Sequence, residues 1–246
     1  MRIKAVIAYD GSAFYGFQRQ TTTHQTVTGI LEKTLRSLQI ESAVTGSGRT
    51  DRGVHATGQV IHFDVPPFWE RDLAKLKTLL NRKLEAIRFR TLTRTYPTFH
   101  ARFDAKRRLY RYIFKTTFPT VFERNYISYF PSYDQKRLRE ALTHFEGEHD
   151  FRYFHKSGSQ PHSTIRTIYN ARSYQIRDLH CITFEANGFL RSQVRMMTQA
   201  AMLYAQGLCD IETLKEQLES KKQHLHTLAP ASGLYLAKIH YPFTKE

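Results

Sequence analysis

The stretch GSGRTDRGVHATGQVIHFD, Gly46–Asp64, sets Gly46, Gly48 and Gly53 around one carboxylate, Asp51, with Arg49 and Arg52 beside it and His55 just beyond. Three kinds of loop have this look, and each implies a different fold. A phosphate loop needs Lys followed by Ser or Thr after its last glycine, and none follows here. A dinucleotide fingerprint begins correctly at Gly46 and Gly48, but Asp51 stands where its third glycine belongs. A carboxylate there faces the pyrophosphate and repels it, so the doubly wound nucleotide fold has no support. A structural turn stays open, because Asp-x-Gly is common turn chemistry. The loop runs directly into QVIHF, which reads as a buried strand, so Asp51 is expected at a strand edge. The two-residue spacing from Arg49 lets a guanidinium pair with the carboxylate and keep it ionised. An oriented, ionised aspartate is a nucleophile or a base held ready. One acid among arginines is a poor divalent-metal site.

Outward from this loop the periodicity alternates between two and 3.6 residues. RIKAVIAY reads as a strand, followed by the turn YDGSAFYGF. TVTGILEKTLRSL reads as a helix with Ile30, Leu31, Leu35 and Leu38 inward and Glu32 and Lys33 among its polar positions. A short strand is expected near SAVTG, and TGQVIHFDV is a strand stopped by Pro66 and Pro67. WERDLAKLKTLLNRKL is a helix with Leu73, Leu76, Leu79 and Leu80 inward, and AIRFRTLTRTY a strand.

A similar order recurs beyond it. FHARFDAKRRLYRYIFKT reads as one long strand that sets Leu109, Arg111 and Ile113 against Tyr110, Tyr112 and Phe114. A helix follows over SYDQKRLREALTHFEG, with Leu138, Ala141, Leu142 and Phe145 inward, then two strands around a turn at Arg177–Asp178. GFLRSQVRMMTQAAMLYAQG reads as the longest helix, ended by Gly207, with Met196, Met197 and Met202 as core filler. DIETLKEQLES is a helix capped by Asp210, and GLYLAKIHY the closing strand. The fold class is therefore α+β, a largely antiparallel sheet with helices on one face. No linker divides the chain, which leaves a soft boundary between halves 1–103 and 104–246.

Lys and Arg number 37 against 22 acids, a net +15. Such an excess repels itself in the compact state and points to a polyanionic partner, nucleic acid before membrane, with a generally basic proteome as the bland alternative. Basic residues interleave with aromatics in AKRRLYRYIFK, FERNY and HKSGSQPHSTIRTIYNAR, as where folded RNA is held by shape and phosphate contacts. Cys181 and Cys209 stand alone, so a thiolate zinc site is excluded and a reduced cytosolic compartment fits. No apolar run reaches the ~20 residues of a membrane span, so no membrane partner is expected. His224 and His226 have strand-like spacing but lie in a polar stretch that reads as a solvated loop. His55 and His62 read as structural or RNA-contacting.

GRTDRGVHA resembles the signature G-R-T-D-x-G-V-H-A of the tRNA pseudouridine synthase A family. YDGSAFYGFQRQ, FHARFDAKRRLYRYIF, GEHDFRYF, ANGFLRSQVRMM and LAPASGLYL resemble further blocks in the family's order, from residue 9 to 236. The resemblance implies two ferredoxin-like α+β halves whose sheets join around a central cleft. It makes Asp51 the catalytic nucleophile, Arg49 the arginine beside it, Tyr110 the tyrosine set against the target base and Arg195 an arginine near the cleft. It further implies tRNA as partner through the anticodon stem-loop, a cytoplasmic homodimer, and neither cofactor nor metal. Two departures stand out. Thr28 occupies a slot that is usually Gln, and NRKLEAIRF lacks the family's proline. A non-catalytic RNA-binding protein and a ribonuclease are the competing readings; the first would not need Asp51, and the second wants another acid or base that the sequence does not supply.

Overall fold

The computed structural model describes residues 1–156, 158 and 161–242 and divides into two compact units. Met1–Lys106 and the residues from Leu236 onward form one, and Arg107–Tyr235 the other. The sequence reading put the closing segment with the 104–246 half, whereas it groups with the first unit. Part of the basic run HKSGSQPHSTIRTIYNAR, at Ser157, Ser159 and Gln160, lies outside the described residues.

The first unit contains β1 (Arg2–Tyr9), α1 (Val27–Arg36), β2 (Thr45–Gly46), β3 (His55–Asp64), α2 (Leu73–Lys83) and β4 (Ile87–Arg94). Alternation in β1 buries Ile3, Ala5, Ile7 and Tyr9. Such strict period-2 burial fixes the register, because a one-residue slip would turn every apolar side chain to water. β1 runs antiparallel to β3 on one side, with Val6 opposite Val60, and to β4 on the other. β2 adds to β3 through Thr45 opposite His62. In α1 the buried residues are Val27, Thr28, Leu31, Glu32 and Leu35. Glu32 is thus no surface residue. Its Oε1 accepts from the Val44 N–H at 3.0 Å and its Oε2 meets Arg19 at 3.0 Å, which satisfies the carboxylate inside the unit.

The second unit contains β5 (Arg107–Lys115), β6 (Ser128–Tyr129), α3 (Gln135–Phe145), β7 (Gly147–Asp150), β8 (Ile165–Ile176), β9 (Leu179–Ala186), α4 (Gln193–Ala205) and α5 (Ile211–Leu218). The last strand, β10 (Leu234–His240), lies beside β3 in the first unit's sheet from Leu236 onward. Strands β5, β9, β8 and β7 are neighbours in that order, all antiparallel, while β6 pairs parallel with β5. The β8–β9 turn falls at Arg177, whose φ of 55° is the left-handed conformation a tight reversal needs. In β5 the row Tyr110, Tyr112 and Phe114 faces the core. On α3 the four residues expected inward are all buried, as are Met196, Met197 and Met202 on α4. Each of these Leu, Phe and Met side chains contributes roughly 1.5–3 kcal/mol by leaving water. α3 is tied to α4 at the surface, where Tyr204 donates to Glu140 at 2.6 Å and Arg137 stacks on the Tyr204 ring.

The long strand expected over FHARFDAKRRLYRYIFKT begins only at Arg107. Its first part is irregular because other groups take its backbone donors and acceptors: the Ala101 N–H donates to His62 Nδ1 and the Ala101 carbonyl accepts from Tyr241. α4 likewise begins at Gln193, five residues later than the pattern suggested, after Ser192 at φ 59°. Asp210 stands at the N-cap of α5 but makes no side-chain capping bond.

Candidate active site

The loop between β2 and β3 is held by β3 at its start and by a turn of its own at its end. Ser47 N–H donates to the Val60 carbonyl at 2.8 Å, and the Ser47 hydroxyl donates to Gln59 Oε1 at 2.7 Å. The Gln59 amide, wholly buried, returns a bond to the Gly48 carbonyl at 2.8 Å. At the far end, Val54 N–H donates to the Asp51 carbonyl at 3.1 Å, closing a turn through Gly53 at φ 78°. Asp51 is half-buried at the bend between these fastenings.

The turn after β1 cradles this loop from outside. Phe17 N–H donates to the Thr50 carbonyl at 3.0 Å. The Gly11 N–H donates to His55 Nδ1 at 2.9 Å, and the same nitrogen lies 3.3 Å from Asp10 Oδ1. A Cβ on Gly11 would stand 2.1 Å from the Val54 carbonyl oxygen, and one on Gly16, at φ 112°, would stand 3.2 Å from the Thr50 carbonyl oxygen and 3.5 Å from the Arg52 nitrogen. Beneath the loop, Tyr9 and Thr50 share a buried hydroxyl–hydroxyl bond of 2.8 Å. Burial pushes the Tyr9 phenol well above its ordinary value, so it stays neutral. Thr28 donates its hydroxyl to the Phe17 carbonyl at 2.9 Å and so anchors the cradle to α1. The aspartate is therefore presented by backbone that two neighbouring segments over-determine, the kind of support a reacting group needs.

Both arginines beside Asp51, Arg49 and Arg52, are exposed. Arg52 lies over the Tyr15 ring, 4.4 Å from its centroid.

In the second unit Tyr110 is 7% exposed, opposite Phe184 in the sheet and edge-to-face with Phe189 at 5.2 Å. Arg195 stands in the first turn of α4, where the helix dipole disfavours a cation. It is fixed there reciprocally: its Nε donates to the Ala229 carbonyl at 2.7 Å and Ala229 N–H donates to the Arg195 carbonyl at 3.1 Å. The Tyr112 hydroxyl, beneath, lies 2.8 Å from the Ser128 hydroxyl and 3.0 Å from the Pro230 carbonyl. Phe189 and Ala229, which hold these two side chains, escaped the sequence reading although both lie in its quoted blocks.

Comparison with known proteins adds to this geometry. The sequence model of a family described as tRNA pseudouridine synthase matches residues 5–104 and 141–242. A tRNA pseudouridine synthase A of Helicobacter hepaticus is 41% identical over 97% of this chain and 98% of its own length. The chain belongs to the tRNA pseudouridine synthase A family. Proteins of that name from Wolinella succinogenes (40% identical over 96% of this chain and 93% of their protein) and Pseudothermotoga lettingae (39%, over 98% and 99%) agree along nearly their whole lengths. The family converts uridine to pseudouridine in tRNA.

Other candidates from the sequence have structural employment. His55 and His62 are both buried. His62 Nδ1 accepts from Ala101 N–H at 3.1 Å, and burial first, then Arg2, lowers its pKa from 6.5 to about 4. His224, expected in a loop without acids, contacts Glu216 at 2.7 Å, an acid eight residues earlier that the fold brings alongside. Among the described residues no group of three or more His, Cys, Asp and Glu side chains is arranged to hold a metal ion, and no helix is long and apolar enough to cross a membrane.

Proposed function

We propose that this chain isomerises uridine to pseudouridine in the anticodon stem-loop of tRNA, with Asp51 as the reacting carboxylate. The observation that carries the reading is the loop itself: Asp51 is the half-buried acid of a turn fixed by Gln59, His55, Phe17 and Gly16, inside the family's most specific block. The reaction breaks the N1–C1′ bond, joins C1′ to C5 and moves the C5 proton out as N1 gains one. Nothing is oxidised or reduced, so the chemistry calls for no cofactor. It needs a group that attacks or stabilises the carbon losing its bond, and an aspartate does either.

In the same reading Tyr110 lies against the uracil after it leaves its stack, where base–aromatic stacking is worth about 1–3 kcal/mol. Arg195 and Arg49 supply positive charge near the reacting groups. The two units are then ferredoxin-like halves around one cleft, and the protein works as a cytoplasmic homodimer. Support for these finer points is the family membership and the order of the six sequence blocks.

Incubation with unmodified tRNA followed by mapping of pseudouridine tests the proposal. Wild type should form product, and Asp51→Asn should form none while still binding tRNA. Cleaved RNA would identify a ribonuclease, and binding without product a passive RNA-binding protein; either result overturns the reading.

A further inference from the structure

Arg52 follows the reacting carboxylate directly, at the position the family signature leaves open, and Tyr15 lies in the turn that cradles it. The Arg52 guanidinium sits over the Tyr15 ring, 4.4 Å from the centroid, and the ring is itself 46% exposed. Two other arginines of this unit are paired with acids, Arg2 with Asp64 and Arg19 with Glu32, both at 3.0 Å. No carboxylate partner of Arg52 is found among the described residues, although Asp51 is its neighbour in sequence.

We infer that Arg52, braced on Tyr15, is a phosphate-binding residue that grips the RNA backbone beside the target uridine. This inference rests on the reading of Asp51 as the reacting group. A guanidinium lying over an aromatic face keeps its in-plane N–H donors directed outward, where they match two phosphate oxygens at once. The brace is fixed before substrate arrives. Tyr15 N–H donates to the Gln25 carbonyl and its own carbonyl accepts from Gln20. Side-chain freedom restricted in advance is freedom that binding need not remove. There is also an electrostatic demand. A carboxylate approached by a polyanion repels it, and a cation one residue away offsets that repulsion where the ribose carrying the reacting carbon must sit. Phosphates flank that ribose on both sides. Once the base has turned out of its stack, backbone contacts are what hold the nucleotide in register.

Steady-state kinetics on unmodified tRNA, with binding measured in the Asp51→Asn background, separates this role from the chemistry. Arg52→Ala should raise KM about tenfold near 0.1 M salt and leave kcat within about twofold. In the Asp51→Asn background, Arg52→Ala should make the slope of log affinity against log salt shallower by about 0.7, the loss of roughly one phosphate contact. Arg52→Lys should recover part of the KM, since an ammonium is a point charge without the fork. Tyr15→Leu should raise KM severalfold by freeing the arginine, with thermal unfolding showing that each variant folds. An unchanged KM and salt slope in Arg52→Ala, or a fall in kcat at constant KM, overturns the inference. Turnover retained by Asp51→Asn alone would instead strike the reading of Asp51.

Discussion

The Tyr9 phenol and the Thr50 hydroxyl lie 2.8 Å apart in the core of the first unit, one residue before Asp51. A strand residue is thereby bonded to the loop that carries Asp51, and Tyr9→Phe removes the bond while keeping the ring. The Thr50 hydroxyl, 7% exposed, loses its partner out of reach of water. An unsatisfied buried hydroxyl costs about 1–3 kcal/mol, so the unfolding temperature should fall by some 2–4 °C for each of them. A severalfold loss of kcat should accompany it as Asp51 loses orientation. Wild-type values for both quantities would show that the bond does not support the site.

Gly11 offers a steric test of the cradle. A Cβ there meets the Val54 carbonyl oxygen at 2.1 Å, and a backbone oxygen cannot rotate aside. Gly11→Ala should destabilise the protein by about 1–3 kcal/mol. Because Val54 closes the Asp51 turn, kcat should drop by more than the stability loss alone explains. Thermal unfolding and kcat measured on the same preparation check this, and an active, stable Gly11→Ala enzyme would refute the proposed contact.

Much of this was legible in the sequence wherever a side chain's fate depends on its near neighbours. Period-2 burial in β1 and the 3.6-residue stripe of α3 follow from which residues are apolar, and the exclusion of a nucleotide loop follows from one aspartate. What escaped depends on distant partners. The irregular path through Ala101 is set by His62 and Tyr241, the burial of Glu32 by Val44 and Arg19, and the His224 contact by Glu216. β6 and β7 are two and four residues long, too short for any periodicity to register. The place of Arg52 also escaped, because spacing in a loop with three glycines fixes no side-chain direction and only the fold brings Tyr15 to it.

His62 gives the fold a pH signature. Its pKa is lowered to about 4 in the folded protein, against an ordinary 6.5, so above 6.5 both folded and unfolded states hold it neutral. Between 6.5 and about 4 the unfolded chain takes up a proton that the folded one refuses, and stability falls as the pH falls. Unfolding temperatures measured across that window should decline for wild type and decline less for His62→Asn, whose side-chain oxygen can still accept from Ala101. Parallel curves for the two proteins would show that His62 does not carry the effect.

Release of tritium from C5 of uridine in tRNA tests the central claim most directly, because C5 must shed its hydrogen when it bonds to C1′. The account predicts release by wild type in step with pseudouridine formation. It predicts a fall of ~10³-fold or more for Asp51→Asn, with tRNA affinity and unfolding temperature unchanged. Tritium release by Asp51→Asn within tenfold of wild type would contradict it, and Asp51 would then belong to a structural turn.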